Sequence, residues 1–367
     1  MPPKPPSASD LLHLRGQGLA KGEPLPPPQV AASMYHLPGE PGREPRYGRS
    51  ENPTWEAVEH LLAHLEGAPS LLFPSGMAAI AAPLFALTKA GDRVLLPSDG
   101  YYTTRHLADE FLARFGVSIE RRPTAGFAEG GFGGYALVFI ETPSNPGLDL
   151  CDIADVATAV RAAGGISVVD NTTMTPFGQR PLELGADIVV ASDTKAPGGH
   201  SDVLMGHLAT REAGLFERLE NWRKLSGSIP GPHEAWLLHR SLETLDLRFR
   251  TMCDSASTIA ERLAERLGDR VVYPGLPSHP QHNLAAAQMA TPGFLIGLTL
   301  ADRQAAEGFI DGCPYIRPAT SFGGTHTTAE CRIRWGDAVE PGFVRLSLGC
   351  EPVEELWAAL EAALPGR

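Results

Sequence analysis

Four short apolar runs, each passing straight into a polar loop, constrain this chain more than any other feature. Arg93-Val94-Leu95-Leu96 leads to Asp99-Gly100-Tyr101-Tyr102, and Ala136-Leu137-Val138-Phe139-Ile140 leads to Glu141-Thr142-Pro143-Ser144-Asn145-Pro146. Gly165-Ile166-Ser167-Val168-Val169 leads to Asp170-Asn171-Thr172-Thr173. Asp187-Ile188-Val189-Val190-Ala191 leads to the stretch from Ser192 to Asp202, which carries Thr194, Lys195 and Gly198-Gly199. Such runs, bounded by turn residues, read as buried strands. Ile153 to Ala163, capped by Asp152, reads as a helix between the second and third runs. Strands alternating with helices imply an α/β fold, a mostly parallel sheet with helices on both faces. Ligands of such sheets bind just beyond the carboxyl ends of the strands, where these loops converge.

The rest of the chain is organised around that sheet. Residues 1–50 are rich in proline and glycine (Pro24, Pro26, Pro27, Pro28, Pro38, Pro41, Pro45), so they cannot be helical for long or fold as their own core. They form an extended arm that is either loose or laid across another surface, such as a neighbouring subunit. From Thr54 to Leu65, Val58, Leu61, Leu62 and Leu65 recur at the three-and-four spacing of one helix face. Leu71-Leu72-Phe73 reads as a strand, and Ser75-Gly76-Met77-Ala78-Ala79-Ile80 opens a helix that Ser75 can cap. Free N–H groups and the positive dipole end make that helix start an anion site. Residues 51–239 are expected to be the large domain. Residues 240–367 are expected to form a smaller α+β domain. In it, a helix spans Leu242 to Leu267, strands span Gly293 to Leu300 and Val344 to Leu348, and a closing helix spans Glu354 to Leu364. Alternation puts Arg345 and Ser347 on one strand face.

Composition removes several classes of function. A formal net charge of -12 argues against nucleic acid or an anionic membrane surface as a partner. No apolar run approaches the roughly 20 residues of a membrane span, and the Met1-Pro2-Pro3-Lys4 start lacks the apolar core of a signal peptide. Cys151, Cys253, Cys313, Cys331 and Cys350 are scattered, without a Cys-x-x-Cys pair, and read as reduced thiols of a cytoplasmic protein. A metal site is not expected: His233-Glu234 is followed by Leu237 where a second histidine ligand would stand.

The loop residues together specify a cofactor. A pyridoxal 5′-phosphate site needs a lysine for the Schiff base, a carboxylate against the pyridine nitrogen, an anion site and an aromatic face. Lys195 can supply the first and Asp170 the second. Ser75-Gly76-Met77 with Ser192 and Thr194 can hold the phosphate, and Tyr101 can supply the face. Taken alone, the Lys195 loop would read equally well as a solvated turn.

At this point the sequence resembles the fold-type I pyridoxal-phosphate enzymes of cysteine and methionine metabolism, the group of cystathionine γ-lyase, cystathionine γ-synthase, cystathionine β-lyase and methionine γ-lyase. The resemblance runs from about Tyr47 to Ala363. It rests on Tyr47-Gly48-Arg49-Ser50-Glu51-Asn52-Pro53-Thr54, Ser75 to Ile80, Glu141 to Pro146, Val169 to Thr172, Ser192 to Asp202 and Val344 to Glu351. The resemblance implies that Tyr47 and Arg49 reach into the neighbouring subunit's site and hold the phosphate. It also implies phosphate donors at Gly76, Met77, Ser192 and Thr194, and a stacking, amine-deprotonating Tyr101. Asn145 is then expected near the ring hydroxyl and the substrate carboxylate, with Asp170 as pyridinium partner and Lys195 as Schiff-base lysine. Ser321 and Arg345 match the substrate-carboxylate site, and a homo-oligomer with shared sites, a dimer of dimers, is the family expectation.

Departures from the family's pattern fall on the pocket walls. Tyr102-Thr103-Thr104 replace the usual Gly-Gly-Thr or Gly-Cys-Thr, and Thr103 stands where methionine γ-lyases carry a cysteine. His326 replaces a glutamate that helps hold the distal part of the substrate in several members. Thr173 replaces a phenylalanine, and Ala196-Pro197 replace an aromatic-aliphatic pair. The expected activity is α,γ-elimination of cystathionine or a similar γ-substituted amino acid, giving 2-oxobutanoate, ammonia and cysteine. β-Lyase or γ-synthase activity, or γ-elimination of a non-sulfur substrate, would use the same residues. A non-catalytic binding protein of this fold is the contrasting class.

Overall fold

The computed structural model describes residues 1–40, 42 and 44–366; Pro41, Arg43 and Arg367 lie outside the described residues. Seven strands form the first sheet: β1 Ser70–Phe73, β2 Arg93–Pro97, β3 Ser118–Arg122, β4 Leu137–Glu141, β5 Ile166–Asp170, β6 Ile188–Ala191 and β7 Gly206–Ala209, in the order β1-β7-β6-β5-β4-β2-β3. β3, β2, β4, β5 and β6 pair in parallel. β7 runs antiparallel to both β6 and β1. The four expected strands are present within a residue or two, and β4 and β6 are buried along their whole length. Continuous apolar runs of this kind are what a sheet covered on both faces demands.

Five strands form the second sheet: β8 Val271–Val272, β9 Leu295–Thr299, β10 Arg317–Pro318, β11 Thr328–Cys331 and β12 Phe343–Ser347, ordered β10-β11-β12-β9-β8. The helices are α1 Ala8–Leu14, α2 Pro53–Glu66, α3 Gly76–Ala86, α4 Tyr102–Leu107, α5 Ile153–Ala162 and α6 Thr175–Gly178. They continue as α7 Ala213–Ser226, α8 Pro232–Leu242, α9 Leu245–Leu267, α10 His282–Gln288, α11 Arg303–Gly312 and α12 Val353–Ala363. Among the described residues no helix is long and apolar enough to cross a membrane.

α2 shows why the local sequence folds as it does. Asn52 caps it by accepting from Thr54 N, Pro53 occupies the first turn, and Gly67 ends it at φ 68°. Val58, Leu61, Leu62 and Leu65 are at most 2% exposed and pack with Leu238 and Leu242 of α8. Each such burial contributes about 1.5–3 kcal/mol relative to exposure.

One expected helix is corrected. The run from Leu242 to Leu267 is not continuous, because Leu242 ends α8 and Glu243-Thr244 turn the chain before α9 begins at Leu245. The apolar spacing carries across the turn because both helices bury the same side in one core. The first residues of α9 pack there beside α2, while Ala256, Ile259, Ala260 and Leu263 pack against the second sheet. α9 thus ties the two sheets together.

The N-terminal arm is not a loose tail. Leu11 of α1 is buried with Leu61 and Leu65, and Arg15 pairs with Glu243. Asn52 Nδ2 donates to Val30 O at 2.7 Å, and Trp236 Nε1 donates to Pro27 O at 3.0 Å. The prolines hold this segment extended while its few apolar residues and carbonyls find partners on its own chain.

Candidate active site

A cavity of about 330 Å³ opens beyond the carboxyl ends of β1, β2, β4, β5 and β6, and the second sheet closes it from the far side. Ser75, Gly76, Met77, Tyr101, Asn145, Asp170, Ser192, Thr194, Lys195, Ser321 and Arg345 all line it. The parallel register sets Asp170 directly beside Glu141 at the ends of β5 and β4. The turn after β6 brings in Ser192, Thr194 and Lys195.

One end of the cavity is built for an anion. Ser75 Oγ caps α3 by accepting from Ala78 N at 3.1 Å, and the amides of Gly76 and Met77, in the first turn, meet no acceptor among the described residues. Position 76 has to be glycine: a Cβ there would stand 2.5 Å from Ser192 Cβ. That close approach sets the helix start against the Ser192 turn. Ser192 Oγ makes no hydrogen bond among the described residues, whereas Thr194 Oγ1 accepts from Met205 N at 3.1 Å and donates to Met205 O at 3.2 Å. Thr194 is therefore partly committed to its own turn.

The centre of the cavity holds a lysine between charges. Lys195 Nζ donates to Ser321 Oγ at 3.3 Å and lies 5.2 Å from the Phe322 ring centroid. Burial, and then the charge of Arg345, push its pKa down to about 8 against the pull of Asp170. Asp170 is 5% exposed; its Oδ1 accepts from Thr172 N at 2.9 Å and Thr172 Oγ1 at 2.5 Å, and its Oδ2 accepts nothing among the described residues. Burial raises the Asp170 pKa, opposed by the Thr172 hydrogen bonds and by the charges of Lys195 and His207. Glu141 is raised well above the usual carboxylate range by burial and then by Asp170; among the described residues only the Tyr101 amide, 2.6 Å from Oε2, donates to its carboxylate. Two adjacent carboxylates cannot both ionise cheaply. Burial and the charge of Asp170 therefore favour the protonated form at Glu141, while Thr172, Lys195 and His207 favour the charged form at Asp170.

The far wall carries Arg345 on β12. Its Nη1 donates to Asn145 Oδ1 at 2.5 Å and its Nη2 to Thr320 O at 3.0 Å, with Glu330 Oε1 at 3.4 Å. Burial, and then the neighbouring Arg332, lower the Arg345 pKa, yet a guanidinium stays charged at any physiological pH. Arg332, also on the wall, pairs with Glu330 and donates from Nε to Asp337 Oδ2 at 2.8 Å. Behind the lysine turn, Arg248 of α9 donates to Ala196 O at 2.6 Å, Pro197 O at 3.2 Å and Ser241 O at 2.9 Å. The altered pair Ala196-Pro197 is thus held by its carbonyls. Gly323, at φ 78°, passes so close that a Cβ would stand 2.7 Å from Ala196 N.

Three expected residues are not brought to this cavity. Tyr47 and Arg49 are exposed on the arm, where Arg49 Nη1 donates to Lys224 O at 2.6 Å. His326 is exposed, its Nδ1 3.3 Å from Thr325 Oγ1, and it does not line the cavity. Conversely, Glu141, Leu204, Phe322, Arg332 and Trp335 line it without having been singled out. Glu141 was visible in the Glu-Thr-Pro motif. Arg332 and Trp335 sit in a short turn after β11, and nothing in their spacing points to a pocket.

The donor set fits pyridoxal 5′-phosphate. Two free amides and the free Ser192 hydroxyl suit a phosphate, and the free Asp170 oxygen suits a protonated ring nitrogen. Tyr101 offers an aromatic face. Thr173 Oγ1, buried on the cavity wall without a partner among the described residues, offers one more polar contact.

Comparisons with known proteins agree with this chemistry. A family model described as Cys/Met metabolism PLP-dependent enzyme matches residues 28–365. A Streptomyces coelicolor protein described as "Putative cystathionine gamma-lyase" is 47% identical over 354 residues, covering 94% of this chain and 90% of that protein. The cystathionine beta-lyase of Lactococcus lactis subsp. cremoris is 36% identical over 346 residues, covering 89% and 90%. The crystal structure of cystathionine gamma synthase from Xanthomonas oryzae pv. oryzae in complex with cystathionine is 32% identical, with a TM-score of 0.89 and 98% of each chain covered.

Proposed function

The chain belongs to the pyridoxal-phosphate-dependent enzymes of Cys/Met metabolism, and from that premise we propose that it is a carbon–sulfur lyase catalysing α,γ-elimination. The substrate is cystathionine or a similar γ-substituted amino acid. Cystathionine and water give 2-oxobutanoate, ammonia and cysteine. The observation that carries the reading is a single half-buried lysine, its pKa down to about 8, placed between Asp170 and the Arg345-Ser321 wall. γ-Elimination needs one base that can move protons at two adjacent carbons, and a flexible lysine tuned near neutrality suits that task. The similarity to the Streptomyces protein supports γ-lyase over the other activities.

When bound, pyridoxal 5′-phosphate supplies the electron sink that makes a proton on the substrate's α-carbon removable. Gly76, Met77 and Ser192 hold its phosphate, and Asp170 keeps a negative charge for the ring nitrogen. Arg345 grips the α-carboxylate of the substrate, with Asn145 and Ser321 beside it. Lys195 Nζ would take the proton from Cα, hand it on to the electron sink and so return to the neutral amine, and then take one from Cβ as the γ-thiolate leaves. Tyr101, its backbone anchored by Glu141, helps deprotonate the incoming amine. Residues 51–239 act as the cofactor domain and 240–367 as the smaller domain that brings Arg345. Tyr47 and Arg49, free of their own cavity, complete the phosphate site of a neighbouring subunit in a homo-oligomer, dimer or tetramer. Five free thiols suit a reducing cytoplasm.

Product analysis tests this. With cystathionine, 2-oxobutanoate and cysteine are expected. Pyruvate with homocysteine would replace γ- by β-elimination, and thiol incorporation without 2-oxo acid would make the enzyme a γ-synthase.

A further inference from the structure

Outside the lining of the cavity, three ionisable side chains meet out of contact with solvent. His207 of β7 is 1% exposed, Asp193 of the lysine turn 0%, and Glu66 at the end of α2 3%. His207 Nδ1 lies 2.8 and 3.0 Å from the two Asp193 oxygens, and its Nε2 lies 3.0 Å from Glu66 Oε1. A neutral imidazole can donate from one nitrogen only and would turn a lone pair toward the other carboxylate. With both carboxylates ionised, only the imidazolium offers a donor to each. Burial by itself lowers the imidazole pKa, but Asp193 first and then Glu66 outweigh it and hold it up, at about 10.

We infer that His207, clasped as a cation between Glu66 and Asp193, is a positioning residue that fixes the turn carrying Ser192, Thr194 and Lys195 and so the grip on the cofactor. The inference rests on the reading of Lys195 as the cofactor lysine. Asp193 is the connecting piece. Ser192, Thr194 and Lys195 line the cavity and Asp193 does not; within the turn that Lys195 N closes on Ser192 O at 3.2 Å, the Asp193 carboxylate meets His207 instead. Anchoring Asp193 fixes the rotation of the segment and hence where its neighbours point. The backbone agrees: Asp193 O accepts from Gly198 N at 2.7 Å, and β7 is in register with β6 at Ala191 and His207. The cation also acts on Asp170 of β5, whose burial-driven rise it opposes. It bears on both the lysine turn and the carboxylate for the ring nitrogen.

Two measurements test the inference. Nitrogen-15 NMR of histidine-labelled holoenzyme should show His207 protonated at both nitrogens at about pH 8, more than a unit above the ordinary imidazole value of about 6.5. A neutral imidazole there overturns the inference whatever the role of Lys195. The charge-free variant Glu66→Gln/Asp193→Asn/His207→Gln keeps hydrogen-bonding groups at all three positions. It should fold but release pyridoxal 5′-phosphate with a dissociation constant raised about tenfold or more, the scale on which supporting partners of a bound group act. A folded variant with unchanged cofactor affinity overturns the inference. If that variant does not fold, Asp193→Asn holoenzyme gives the same reading by its cofactor affinity: raised supports the inference, unchanged overturns it.

Discussion

Arg345→Lys is the most informative single change, because it keeps the charge and removes the fork. Arg345 is 3% exposed and spends Nη1 on Asn145 Oδ1 and Nη2 on Thr320 O. If its guanidinium also grips a substrate carboxylate, lysine retains a point charge but loses the planar pair of donors. Losing one charge-assisted hydrogen bond costs about 1.5–3 kcal/mol, which is roughly a 10- to 150-fold drop in kcat/KM. The assay compares the amino-acid substrate with the corresponding amine lacking the α-carboxylate. Arg345→Lys should lower kcat/KM for the amino acid by that factor and leave the amine, already poor, within about twofold. An equal loss for both compounds would refute the reasoning, because the damage would then lie in the Asn145 and Thr320 contacts.

Lys195→Ala should abolish turnover while the protein still folds, measured by 2-oxo acid release and circular dichroism; wild-type kcat in this variant would sink the assignment. The rate at which cofactor-free protein recombines with pyridoxal 5′-phosphate should rise with pH and level off near pH 8. The neutral amine is the reacting form, so below that pH each unit costs about tenfold, whereas an unperturbed lysine would keep gaining to about pH 10. A rate still climbing beyond pH 9 would show an undisturbed lysine, titrating near the solution value of about 10.4. Leu61→Ala, at a position 2% exposed between α2 and α8, should lower stability by about 2–5 kcal/mol in denaturant unfolding with kcat unchanged.

The core of the first sheet was legible because β2, β4, β5 and β6 are continuous apolar runs, and a sheet buried on both faces leaves little alternative. β3 was not, since Ser118–Arg122 is a half-exposed edge strand carrying three charged residues. β7 was hidden because it carries His207, a polar residue that a buried strand accommodates only because Glu66 and Asp193 partner its ring nitrogens. The α8–α9 junction lacks glycine or proline, so the apolar spacing ran through it. In the site, the residues on loops following strands were legible, because the strand ends place them together. Glu330 and Arg332 were not: Glu330 meets Arg345 through the antiparallel register of β11 and β12, across a gap of fifteen residues, and Arg332 is held beside it by pairing with Glu330 from the turn after β11. His326 matched a motif position, but its turn leaves it exposed.

The central claim is that Lys195 holds the cofactor in this cavity. Borohydride treatment of the holoenzyme followed by peptide mass mapping tests it directly, because reduction fixes pyridoxal phosphate to whichever lysine carries it. The account predicts one stoichiometric adduct, on the peptide containing Lys195, with loss of the visible absorbance. An adduct on Lys89 or Lys224, or none in protein that retains activity, would contradict it.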